Sequence, residues 1–105
     1  MSTPVTAWEL RAYRSLRCRY LIYGRGALSK EQWSLYRDLD ARVRRAIADL
    51  DDPHRRIAEM YYVRCMTQIA IGIREYYCER HVRRLCRAAQ RDITSGCRCD
   101  ASGTS

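Results

Sequence analysis

One apolar stripe constrains this chain more than any other feature. Val82, Leu85, Cys86 and Ala89 recur at i, i+3, i+4 and i+7, a spacing that a helix gathers onto one side. A helix over 78–93 then presents Arg80, Arg84, Arg87 and Arg91 on the opposite side, because side chains advance by about 100° per residue. Arg83 adds a fifth arginine, and Glu79 is the sole acid between Cys78 and Arg91. Just upstream, Thr67 suits an N-cap, and 68–74 carries Ile69, Ala70, Ile71 and Ile73 with little charge, which predicts a short buried helix. A short buried helix, a tight turn and a helix with an arginine-bearing outer face match the plan of a helix-turn-helix that reads DNA.

The same stretch resembles the helix-turn-helix of sigma-factor region four, and more closely the small phage and prophage regulators of the ArpU-like type. The likeness rests on Tyr62, Val63, Met66, Thr67, Ile71 and Gly72, then Tyr77 and Cys78, then the run Glu79-Arg80-His81-Val82-Arg83-Arg84-Leu85. Four positions depart from that pattern. Gln68 replaces a usual Trp, Glu75 a usual apolar residue and Tyr76 the usual turn glycine, while Cys78 stands where Ser or Thr normally caps. A thiol is a weaker acceptor than a hydroxyl. The resemblance implies a transcriptional regulator that binds duplex DNA, with helix 78–93 in the major groove. Arg80, His81 and Arg84 are then the expected base-edge contacts, arginine because its fork pairs with guanine O6 and N7. Arg83, Arg87, Arg91 and the Thr67 end of the preceding helix are assigned to phosphates. Glu79 can accept from cytosine N4, though a favourable place at the helix dipole explains it more simply.

Upstream, two capping boxes mark helix starts. Thr6 with Glu9 opens a helix over 7–23, and Ser29 with Gln32 opens a second one. The first carries Trp8, Ala12, Tyr13, Leu16, Tyr20 and Tyr23 as a broad stripe, with Arg11, Arg14, Arg17 and Arg19 filling much of the rest; Gly24 and Gly26 end it. The second repeats Trp33, Tyr36, Leu39, Val43, Ile47 and Leu50 at spacings of three and four. An antiparallel hairpin packed stripe to stripe is the simplest use of the pair, and dimerisation through a leftover seam is the sharper alternative. Asp52 as N-cap and Pro53 at the first helical position start a third helix over 53–65. It is expected to bury Ile57, Met60 and Tyr61 and to expose Arg55 and Arg56. The expected fold is therefore all-α: a helical hairpin over 1–52, a three-helix unit containing the helix-turn-helix over 53–94, and a small, polar, disordered tail over 95–105.

Charge agrees with a polyanionic partner. The chain has 105 residues, enough for one core, and a net charge of +8, with Lys30 its sole lysine. Residues 1–52 carry ten basic and seven acidic side chains, residues 53–105 ten and five. Such a surface favours nucleic acid, with salt-dependent affinity. A membrane surface is the weaker reading, because the apolar faces are needed for the core. No stretch approaches the roughly 18 apolar residues of a spanning helix. The N-terminus has no basic segment leading into an apolar one, so a cytoplasmic protein with reduced thiols is expected. Cys18, Cys65 and Cys86 then read as small core hydrophobes. Cys97-x-Cys99 with Cys78-x-x-His81 supplies the ligand number of tetrahedral zinc, but Cys-x-Cys is a weak signal and Cys78 is committed to opening a helix. No metal or cofactor is expected.

No Gly-rich phosphate loop, Ser/His/Asp ordering or dedicated carboxylate pair stands out, so an enzyme is not expected. Tyr61, Tyr62, Tyr76 and Tyr77 raise a minor single-strand stacking reading, in which Tyr62 and Tyr76 are the free rings and Tyr61 and Tyr77 belong to the core. The rival from another class is an interaction module that contacts RNA polymerase or another regulator without reading DNA.

Overall fold

Both predicted capping boxes form. In the computed structural model, which describes residues 4–95, Thr6 Oγ1 accepts from the Glu9 N–H at 3.1 Å while Glu9 Oε1 accepts from the Thr6 N–H at 3.0 Å. Ser29 and Gln32 make the same reciprocal pair at 3.1 and 3.0 Å. These boxes start α1 (Ala7–Tyr23) and α2 (Lys30–Ala48). Gly24, at φ 86°, ends α1 with its N–H on the Tyr20 carbonyl at 2.8 Å, and a short 3₁₀ turn (Arg25–Ala27) leads into α2.

The described chain is all-helical, and α1 and α2 run antiparallel. The Tyr13 hydroxyl donates to Asp40 at 2.7 Å, and Arg42 pairs with Glu9 at 3.0 Å. Arg17 donates to the Tyr36 hydroxyl at 2.6 Å. Tyr13 and Tyr36 stack with centroids 5.8 Å apart. On α2 the expected stripe is buried at Tyr36, Leu39, Val43 and Ile47, with Leu50 just beyond the helix. The α2 stripe is thus spent on packing within the chain.

On α1 the buried face differs from the expected stripe. Leu10, Tyr13 and Leu16 are inside, whereas Trp8 and Tyr23 are 60% and 73% exposed. Apolar residues lie on every side of this helix, so spacing alone does not select the inward face. Packing selects it, and turns Arg14 and Arg17 inward as well.

The third helix starts one residue later and changes pitch. Pro53, after a cis Asp52-Pro53 bond, occupies the cap position: its carbonyl accepts from the Ile57 N–H at 3.0 Å. Asp52 does not cap but pairs with Arg55 at 3.4 Å. From His54–Ala58 (α3) the chain passes into a π-helical turn (Glu59–Val63), where the Arg64 N–H reaches the Glu59 carbonyl at 2.9 Å. The wider turn rotates the side chains after it, so Tyr62 is buried and Tyr61 only partly so, the reverse of the expected assignment. Carbonyls left free at this end are satisfied from α1. Arg14 donates to Tyr61 O at 2.8 Å and to Met66 O at 3.0 Å, and Arg17 to Val63 O at 2.8 Å.

Thr67 caps α4 (Gln68–Glu75) by accepting from the Ala70 N–H at 3.0 Å. This helix is not buried all round. Ile71 and Gly72 face inward, but Ile69 and Ile73 are 62% and 73% exposed, because neighbours cover only one side of so short a helix. Tyr76 closes it in the left-handed conformation, φ 61°. The chain then enters α5 (Glu79–Ser95), whose first turn is anchored by Val82 N–H on the Cys78 carbonyl at 3.1 Å. Val82, Leu85, Cys86 and Ala89 are buried as the spacing predicts, joined by Ile93.

Two apolar clusters result. One joins α1 and α2 to Ala58, Tyr62, Ala89 and Ile93. The other gathers Ile57, Met60, Ile71, Val82, Leu85 and Cys86 beneath the turn between α4 and α5. The hairpin therefore packs on the far half of α5, and α4 on its near half.

Candidate nucleic-acid interface

The turn between α4 and α5 is set by two unlike residues. Gly72 lets the two backbones approach, since a Cβ there would stand 2.8 Å from the Tyr77 carbonyl oxygen. Tyr76 supplies the positive φ that reverses the chain, at a place where glycine is the ordinary choice. Glu75 is accommodated by pairing with Arg56 at 3.1 Å and, more loosely, with Arg74 at 3.9 Å.

With α5 fixed by its apolar side, Arg80, Arg84, Arg87 and Arg91 are all exposed on the side away from the core. None of the four makes an ion pair among the described residues, whereas Arg42, Arg44, Arg55, Arg56 and Arg74 all do. Arg83 is exposed too, but lies 3.8 Å from Glu79 one turn earlier. His81 is partly buried, its ring edge-on to Tyr77 with centroids 4.6 Å apart. Any base contact from His81 must use the ring edge that Tyr77 leaves open. Thr67 Oγ1 is occupied as an acceptor, yet its hydroxyl hydrogen remains available to a phosphate.

The expected base-edge set, Arg80, His81 and Arg84, thus lies on the first half of α5, and Arg91 extends the basic row along it. Arg83 and Arg87 are drawn elsewhere as well. Together with Arg11 and Arg14 of α1 and Gln68 of α4 they line a cleft of about 660 Å³. Sequence reasoning missed this grouping, because Arg11 and Arg14 look like ordinary surface arginines until the buried face of α1 is known. The one available signal was that α1 carries more arginine than its sole acid, Glu9, can pair.

Burial raises the Cys86 thiol above its ordinary value and pushes Cys65 up to about 12, with the neighbouring Cys18 thiol adding to the second shift. Both are poor nucleophiles and poor metal ligands in that state. No group of three or more metal-ligating side chains occurs among the described residues; Cys97 and Cys99 lie outside them, as does most of the expected tail. Burial likewise pushes the Tyr62 hydroxyl up to about 12, and a ring 5% exposed is closed to a stacking base. Tyr76, at 95%, is open. No helix among the described residues is long and apolar enough to cross a membrane.

Comparison with protein-family models, with curated proteins and with solved structures finds no match to this chain. The geometry and charge of α4 and α5 are therefore what bear on function.

Proposed function

We propose that the protein is a cytoplasmic transcriptional regulator of the phage and prophage type, binding duplex DNA through a helix-turn-helix formed by α4 and α5. The observation that carries this reading is the row Arg80, Arg84, Arg87 and Arg91, exposed and without carboxylate partners among the described residues. In the mechanism, the first half of α5 enters the major groove. Arg80 and Arg84 present their forks to guanine edges, and His81 reads from the flank that Tyr77 leaves free. Arg83, Arg87, Arg91 and the Thr67 hydroxyl hold phosphates and fix the register.

Fluorescence anisotropy of labelled random duplex and single strand, from about 50 to 200 mM salt, tests it. Duplex binding with a steep negative salt slope, weakened in the Arg80→Ala/Arg84→Ala double variant, supports the reading. Absence of duplex binding at the lower salt sinks it.

One observation favours a second reading. Ile69, Ile73 and Tyr76 form an exposed apolar strip along the outside of α4 and its turn. A strip of this kind suits a protein partner, RNA polymerase being the partner that the resemblance suggests. The two readings separate in a pull-down with RNA polymerase set beside the duplex titration: an adaptor is captured by the polymerase, loses that capture in an Ile69→Ser/Ile73→Ser variant and binds no duplex at the lower salt.

A further inference from the structure

We propose that the cleft between α1 and α5 is a phosphate-binding site, in which Arg11 of α1 acts beside Arg83 and Arg87 of α5. This rests on the reading above for the source of the phosphate, but not for the site itself. Arg11, Arg14, Arg83 and Arg87 converge on the cleft and no carboxylate lines it. Arg42 with Glu9 and Asp38, and Arg44 with Asp40, show the alternative arrangement, in which an acid stands beside the arginine. Here Arg11 and Arg87 make no ion pair among the described residues, and Arg83 has only the 3.8 Å approach of Glu79.

Arg14 sets the character of the floor. Its guanidinium donates to the carbonyls of Tyr61 and Met66 and lies 4.0 Å from the centre of the Tyr61 ring. Those partners hold the group still, yet they are neutral, so its full charge remains at the base of the cleft. Arg83 and Arg87 stand one helical turn apart, roughly 5–6 Å between their Cβ atoms. Arg11 closes the opposite wall from α1, while Gln68 and Gln90 add amide donors.

Converging cations in a partly enclosed cleft repel one another, and an oxyanion with several acceptor oxygens relieves that repulsion. Phosphate fits best, because arginine forks match its geometry bidentately. The source is either a nucleic-acid backbone or a free polyphosphate. In the first case α1 becomes a second arm on the duplex, gripping a backbone phosphate beside the α5 contacts.

Arg11→Ala is the decisive variant, since Arg11 is exposed and makes no hydrogen bond or ion pair among the described residues. Arg19→Ala, on the same helix but outside the cleft, is its control. With random duplex, Arg11→Ala should weaken binding several-fold and reduce the slope of log K against log salt by about 0.9, one phosphate's worth; Arg19→Ala should do neither. If the duplex binds and both variants match the unaltered protein, or both lose affinity equally, the proposal is overturned while the DNA reading stands. If the unaltered protein binds no duplex, the DNA reading fails, and pyrophosphate titrated against ¹⁵N-labelled protein decides. Amide shifts around Arg11, Arg83 and Arg87 that vanish in Arg11→Ala would assign the site to a free phosphate. No such shifts would overturn it.

Discussion

The carbonyl oxygen of Tyr77 lies 2.8 Å from the place a Cβ would take on Gly72. This contact fixes how closely α4 and α5 approach. Gly72 is buried, and its own carbonyl accepts the Tyr77 N–H at 2.9 Å, so the obstructing atom is backbone that is itself tied down. A methyl group added here must push the start of α5 outward. Alanine would gain roughly 0.5–1 kcal/mol in helix preference over glycine, and overpacking costs about 1–3 kcal/mol. Gly72→Ala should therefore be net destabilising, read as a lower urea midpoint with an unchanged m value. An equal or raised midpoint would show that the turn can relax.

Four residues on, the opposite exchange should help. Tyr76 holds φ 61° while 95% exposed, so its ring packs on little that would offset the strain. A non-glycine residue in the left-handed region costs about 1–2 kcal/mol, part of which glycine returns through its more flexible unfolded chain. Tyr76→Gly should raise stability by up to about 1 kcal/mol, measured by thermal or urea unfolding. Loss of stability would mean that the tyrosine ring contributes more than its exposure suggests.

These two residues also show what the sequence could and could not disclose. Tyr76 stood out as a departure from the expected turn glycine, and the backbone there takes the conformation that glycine would have taken. The α5 stripe, the α2 stripe and both capping boxes were equally legible, because each is a local pattern with a single periodic solution. The inward face of α1 was not. Trp8, Leu10, Tyr13, Leu21, Ile22 and Tyr23 offer apolar surface in several directions, and packing against α2 and the π-helical turn decides which is covered. That turn had no signature of its own, so the swap of Tyr61 and Tyr62 and the inward arginines were beyond reach. The candidate site divides likewise: the outer row on α5 follows from one helix, whereas the cleft needs two helices distant in sequence.

Arg17 tests the inward arginines. It donates to Val63 O at 2.8 Å and to the Tyr36 hydroxyl at 2.6 Å, joining the hairpin to the segment that precedes α4. Arg17→Met keeps the apolar stem and removes every donor. The half-buried Val63 carbonyl then loses its partner, at a cost of about 1–3 kcal/mol. A change within about 0.5 kcal/mol, the range of ordinary surface substitutions, would mean that water replaces the guanidinium without loss.

Acid should loosen the N-terminal end first. The Arg42 guanidinium, with help from the Thr6 backbone N–H, holds Glu9 below its ordinary value of 4.5. A carboxyl that titrates lower when folded contributes stability that is complete above its unfolded value and drains away as pH falls through the folded one. Glu9→Gln preserves an acceptor for the capping box and removes the charge. The gap in stability between the two proteins should be constant near pH 7 and shrink below about 4.5. It should also stay under about 1 kcal/mol, because the pair is partly solvated. A gap independent of pH from about 7 to 3 would assign the effect to shape rather than charge.

Arg84 distinguishes a reader of sequence from a basic surface that merely adheres to DNA. It is exposed on the first half of α5 and free of carboxylate partners among the described residues. Arg84→Lys keeps the charge and discards the planar fork. If Arg84 meets a guanine edge, affinity for random duplex should hold, while preference for a selected target should fall by about 1–3 kcal/mol at one base position. A phosphate contact predicts the reverse pattern for Arg84→Ala, a uniform loss across all sequences with a shallower salt slope. Titrating both variants against the selected target and single-base changes of it measures the difference directly. Equal preference in the unaltered protein and in Arg84→Lys would move Arg84 from the base-edge set to the phosphate set and leave Arg80 as the leading candidate for sequence recognition.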